Sequence, residues 1–216
     1  MRKSVYSLVL MDDVVDAVDR LAYQEGTSRS NMINRILAQY TRLATPEQRI
    51  QDIFSAVNAV LDSQSALQPM LTAGDTVFAM RSALQYKYNP SLRYTVELNQ
   101  HLGGELGVLR ASLRTQNPTL VLYLGQFYKL WNKLEAACLP GTARQAEISG
   151  ARYTRVLLTP PGEYTAEQLG NAIADYVRLF DACLKQFFDS LDDSSAAVRR
   201  VQECYTGNLT ALAAQL

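Results

Sequence analysis

Three hydrophobic rhythms follow one another in the first forty residues. Residues 4–10 are nearly all apolar and rich in Val, Leu and Tyr, and Asp12-Asp13 bounds them. A run this short predicts a strand rather than a helix. Alternation assigns Tyr6, Leu8 and Leu10 to one face and Val5, Ser7 and Val9 to the other, and the bulkier first set is expected to face a core. Val14, Val15, Val18, Leu21 and Ala22 then recur at helical spacing. Asp12 or Asp13 is placed to cap that helix, and both suit the positive end of its dipole. Gly26 stands where a left-handed residue closes a helix. Ser28 is the expected N-cap of a second helix carrying Met32, Ile33, Ile36, Leu37 and Tyr40. One strand makes no sheet, and about 45 residues bury little surface. The segment therefore predicts a second copy of itself, with the two strands paired as a ribbon.

The rest of the chain predicts a larger domain over residues 45–216. Thr45-Pro46-Glu47-Gln48 is a helix start, with a Thr cap, Pro at the first position and Gln at the third. Ile50, Ile53, Phe54, Val57, Val60 and Leu61 form its apolar stripe, and the short link after Tyr40 is expected to hold the domain close to the first. Residues 64–75 read as loop. Residues 76–88, 92–99 and 106–115 read as three antiparallel strands, with 78–85 alternatively helical; Asn89-Pro90-Ser91 and Gly103-Gly104 mark turns. Asn117-Pro118 opens a helix through Leu120, Leu124, Phe127, Tyr128, Trp131 and Leu134. Residues 153–158 read as a fourth strand. Thr165 to Gln168 is a capping box that opens a long helix, and a last helix is expected from about 195 to about 212, interrupted at Gly207. This order predicts an antiparallel sheet with helices on one face, so the fold class is α+β.

The order strand, Asp, helix, Gly26, Ser28-Arg29-Ser30, helix, with Met32 and Ile33, resembles the ribbon-helix-helix family that includes the CopG, Arc and MetJ repressors. The resemblance covers residues 3–42. It implies an N-terminal ribbon-helix-helix module over residues 1–44, a dimer whose paired strands lie in the major groove of double-stranded DNA. Carried over residue by residue, it assigns base reading to Val5, Ser7 and Val9. Phosphate contacts fall to Thr27, Ser28, Arg29 and Ser30 at the N-terminus of the second helix, with Arg2 and Lys3 on the flanking backbone. Two of the three groove residues are Val, which contacts a thymine methyl but makes no bidentate bond to a base. Residues 1–45 hold six Lys/Arg against five Asp/Glu, so each copy carries +1. That predicts modest non-specific affinity and a shallow salt dependence. The alternative is that the ribbon only dimerises the protein.

Composition changes this picture little. The 216 residues are 48% hydrophobic and 19% charged with zero formal net charge, which suits a globular chain and argues against one that coats nucleic acid broadly. No signal-peptide pattern and no apolar run of about 18 residues occurs, so neither export nor a membrane partner is expected. Cys138, Cys183 and Cys204 are widely spaced and read as free thiols of a cytoplasmic protein. His101 is the only histidine, which disfavours a His-based metal site or a catalytic triad. No phosphate-loop or nucleophile-elbow motif occurs. No cofactor and no enzymatic activity are therefore expected. Asp192-Asp193 read as solvated or capping acids.

Tyr86, Tyr88, Tyr94, Tyr123, Tyr128 and Tyr153 are expected as packing rather than as an aromatic pocket. Lys87, Arg93, Arg110 and Arg114 fall on predicted strands. Arg110 and Arg114 share parity on an exposed sheet face, expected to be solvated, with a site for an acidic ligand or protein segment as the alternative. The leading expectation is a sequence-specific DNA-binding regulator, dimeric and higher-order on DNA. Its larger domain senses a ligand or protein or pairs dimers along an operator. The second expectation is an antitoxin-like or scaffold protein whose larger domain grips another protein.

Overall fold

A computed structural model describes residues 5–41, 45–62, 66–72, 74–138 and 146–216, with the backbone alone at 62 and 101–103. The chain divides into two compact units, Met1–Arg49 and Ile50–Leu216.

The first unit holds α1 (Asp12–Gln24) and α2 (Arg29–Thr41), and the start of α3 (Pro46–Asp62). The N-cap of α1 is Met11, whose side chain makes no cap bond. Asp12 and Asp13 lie inside the first turn, so they act on the dipole alone and do not cap, contrary to the sequence-based expectation. The C-terminus of α1 is a Schellman motif. Gly26 takes φ +61°, Thr27 N–H donates to Ala22 O at 2.9 Å, and Gly26 N–H donates to Tyr23 O at 3.2 Å. Ser28 caps α2 as expected, its Oγ accepting from Asn31 N–H at 3.3 Å. The apolar stripes meet in a small core of Val18, Ala22 and Met32, with Ile33 against it.

Residues 5–10 form no β-ladder in the single chain, and Ser4 lies outside the described residues. Tyr6, Leu8 and Leu10, expected to face a core, are 81%, 62% and 39% exposed. The physical reason is that a lone strand has no partner for its backbone groups. The link at 42–44 also lies outside the described residues.

The second unit is built on a six-stranded antiparallel sheet. Its strands are β1 (Gln68–Met70), β2 (Val77–Ala83), β3 (Ser91–Gly103), β4 (Glu105–Leu113), β5 (Ala146–Ser149) and β6 (Arg152–Leu158), in the spatial order β1-β2-β3-β4-β6-β5. Residues 78–83 belong to strand β2, and no helix forms over 78–85. The helices are α3, α4 (Pro118–Cys138), α5 (Ala166–Phe188) and α6 (Ser194–Asn208), followed by a 3-10 turn at Ala213–Gln215. The last helix thus stops at Asn208, short of the expected 212, and Gly207 lies inside it. Capping follows the residues that signalled it. Gln48 N–H donates to Thr45 Oγ1 at 3.1 Å. Thr165 and Gln168 form the reciprocal box at 3.1 and 2.9 Å. Asp193 is the N-cap of α6, accepting from Ser195 and Ala196 N–H, and those bonds hold its carboxyl below the usual range.

Alternation sorts each strand into two faces. Tyr94, Val96 and Leu98 on β3, Leu109 and Ala111 on β4, and Tyr153 and Leu157 on β6 are buried against the helices. Phe54 of α3 meets Phe78, Tyr128 of α4 meets Tyr153, and Phe180 of α5 meets both Tyr94 and Tyr153. Gly170 sits where α5 crosses α3: a Cβ there would come 2.6 Å from Ala56 Cβ and from Ile53 O. Of the six tyrosines considered in sequence, Tyr94, Tyr128 and Tyr153 are buried in packing, Tyr86 and Tyr123 share edge contacts with Phe188, and Tyr88 is exposed.

Two polar groups lie inside this core. Asp181 accepts from Ser82 Oγ at 3.0 Å and Tyr94 OH at 2.9 Å, and pairs with Lys185 Nζ at 2.7 Å, tying β2 and β3 to α5. Arg155 on β6 is 0% exposed and lies 3.2 Å from Glu135 Oε1. Its guanidinium stacks over the Tyr176 ring at 4.3 Å. Tyr176 OH donates to Glu135 at 2.8 Å and accepts from Trp131 Nε1 at 2.9 Å.

Candidate nucleic-acid interface

The residues assigned to DNA contact fall in two places in the first unit. Val5, Ser7 and Val9 lie in the segment before α1, all exposed. No hydrogen bond among the described residues joins that segment to α1 or α2. Arg2 and Lys3 lie outside the described residues. Thr27, Ser28, Arg29 and Ser30 come together at the N-terminus of α2, with Thr27 half-buried and the others exposed. The Schellman turn ends at Thr27 and the cap begins at Ser28, so one short connection both closes α1 and opens α2. The backbone N–H groups of Arg29 and Ser30 point out of the first turn with no acceptor among the described residues.

Arg29 is not a free cation. Its Nε donates to Asp19 Oδ1 at 2.6 Å and its Nη2 to Asp19 Oδ2, a bidentate pair between α1 and α2. The hydrogen bond from Arg29 holds the Asp19 carboxyl below its ordinary value, and Asp19 in turn raises Arg29. Arg35 and Glu25 form a second, longer pair at 3.4 Å. Asp19 was not singled out in the sequence. The usable signal was its place on the turn of α1 that faces the Ser28 connection, ten residues before Arg29.

The first unit also exposes apolar side chains. Leu21, Tyr23, Ile36, Leu37 and Tyr40 are exposed besides the side chains of residues 5–10. Among the described residues of this unit three are buried, a small core beside that much exposed apolar side chain.

Elsewhere the chemistry is sparse. No group of three or more His, Cys, Asp or Glu able to hold a metal occurs among the described residues. No described helix is long and apolar enough to cross a membrane. His101 lies on β3. Cys183 is buried and Cys204 half-buried. The hydrogen bond between their thiols pushes Cys183 up and pulls Cys204 down to about 7. No protein family, curated protein or solved structure matches the chain.

Proposed function

We propose that the protein is a cytoplasmic DNA-binding transcriptional regulator that acts as a homodimer. Residues 4–10 of two copies pair as an antiparallel ribbon. The paired strands enter the major groove, and the N-terminus of α2 rests on phosphate. One observation carries this reading: Tyr6, Leu8 and Leu10 are exposed beside a core of only Val18, Ala22 and Met32. A second copy supplies both the missing strand partner and the missing apolar contact.

In the dimer the bulky set turns inward and Val5, Ser7 and Val9 turn outward. Ser7 is then the one groove side chain with a hydrogen bond to offer a base, and the valines contact thymine methyls. The phosphate meets the N–H groups of Arg29 and Ser30 and the hydroxyls of Thr27 and Ser28. Arg29 acts through Asp19, fixing α2 against α1 so that those N–H groups are aimed. Arg29→Glu weakens binding to all sequences, whereas changes at Ser7 or Val9 alter which sequence is preferred.

The test is selection of bound fragments from a random duplex pool by the purified protein at stated low salt. Enrichment of a two-fold symmetric site supports the reading, and no binding at all overturns it. A second reading, a scaffold dimerised by the ribbon with a partner held by the large domain, is favoured by the closed Arg29–Asp19 pair and the small charge of the module. It predicts a dimer that retains no duplex at low salt.

A further inference from the structure

The face of the sheet turned away from its helices has a charge pattern of its own. The register aligns Gln68, Arg81, Arg93, Ser112, Arg152 and Ser149 in one row that crosses all six strands. Arg81, Arg93 and Arg152 are exposed. Arg81 and Arg93 stand directly opposite each other on β2 and β3, a position where like charges destabilise a sheet. Arg81 Nε is steadied by Gln68 Oε1 at 3.1 Å, beside a recess of about 250 Å³ lined by Ala66, Gln68, Arg81, Ala83 and Ser91. Arg93 and Arg152 make no ion pair or side-chain hydrogen bond among the described residues.

The next row holds Thr95, Arg110, Thr154 and Glu147. Arg110 is already paired with Glu97 at 2.7 Å. The face thus carries four arginines and three glutamates, Glu97, Glu105 and Glu147, in a chain of zero net charge, and its outer row carries three arginines and no acid. An uncompensated row with a like-charged opposed pair is a cost the fold itself does not repay.

We propose that this face is a second contact surface for double-stranded DNA, gripping the phosphodiester backbone without reading bases. The guanidinium fork matches a phosphate bidentately, and Ser112, Ser149, Thr95 and Thr154 add hydroxyl donors of the kind that go to phosphate. The same face argues against the other polyanions. Single strands need exposed rings to stack on, and the rings of Phe78, Tyr94 and Tyr153 face the helices. A protein interface needs an aromatic or long apolar anchor at its centre, and here the row beside Arg110 offers the half-buried Val77, Val108 and Val156. Arg93 and Arg152, two strands apart, sit about 10 Å from one another, so they engage separate phosphates. The choice of DNA over another duplex rests on the reading of the N-terminal unit; the charge argument does not.

The test uses the full chain, a fluorescent duplex of mixed sequence and anisotropy titrations at several salt concentrations. Arg93→Glu/Arg152→Glu is expected to make the slope of log affinity against log salt shallower by roughly 1.8, the share of two phosphate contacts. Arg93→Gln/Arg152→Gln, which adds no acid and relieves the Arg81–Arg93 repulsion, is expected to lower the slope in the same direction with a thermal midpoint no lower than that of the native chain. Unchanged affinity and slope in both variants overturn the proposal. Arg29→Glu separates the two surfaces. Loss of binding in Arg29→Glu alone, with the sheet variants unaffected, overturns the sheet surface and leaves the N-terminal reading standing. Loss in the sheet variants alone supports the sheet surface and counts against the N-terminal reading. Capture of labelled polyglutamate without capture of the duplex overturns the proposal in favour of an acidic protein segment.

Discussion

The two units of this chain solve the problem of burying apolar surface in opposite ways. The large one closes on itself: its sheet face, four helices and a chain of aromatic contacts from Tyr94 through Phe180 to Trp131 leave the core residues almost without exposure. It even buries an Arg–Glu pair inside that core. The small one has local order, with a Schellman turn, a Ser28 cap and a bidentate Arg29–Asp19 link, yet buries three apolar residues among those described. Local signals therefore suffice to shape helices but not to stabilise a unit. On the proposed reading, a second copy completes a unit that has the first without the second.

The comparison breaks most visibly at the buried pair. Glu135→Ala leaves Arg155 as an uncompensated buried charge and is expected to destabilise the large unit by about 3–5 kcal/mol. Urea unfolding followed by Trp131 fluorescence measures it, and association of the N-terminal unit is expected to be unaffected. Met32→Ala is the mirror experiment. Removing one of three core side chains is expected to cost the small unit about 2–5 kcal/mol. The expected result is loss of helical signal and of association, with the Trp131 transition unmoved.

A smaller effect sharpens the contrast through pH. The Asp19 carboxyl is held below its ordinary value of 3.8 by Arg29. Its contribution is therefore complete above the unfolded value and is lost as pH falls through the lowered folded value. The pair is exposed and screened by salt, so the effect is slight. Acid titration of N-terminal helicity below about pH 4 is expected to show a step in the native chain that Asp19→Asn reduces.

Much of this architecture was legible because single residues announced it. Thr165 with Gln168, Thr45 before Pro46, and Gly26 with Ser28 marked helix ends that the structure places there. Alternation from Arg93 to Leu98 gave both faces of β3. The strands that escaped notice, β1 and β5, are three and four residues long, and only their neighbours' ladders define them. Arg155 escaped for a different reason. Residue type says exposed, while its parity with Tyr153 and Leu157 says buried, and parity prevailed. The charged sheet row was visible only in part. Arg110 and Arg114 share parity, but Arg110 is paired with Glu97 and Arg114 lies beyond the end of β4. The row that matters joins residues of different strands, which requires the register. The proposed ribbon needs a partner chain, so no reading of one chain's contacts reaches it.

Sedimentation equilibrium of the full chain and of Leu8→Asp, over a wide concentration range, tests completion of the N-terminal unit by a second copy most directly. The account predicts a dimer for the native chain. For Leu8→Asp it predicts a monomer in which the Trp131 environment of the large unit is unchanged. A native chain that stays monomeric at every concentration with its N-terminal helices intact would contradict it.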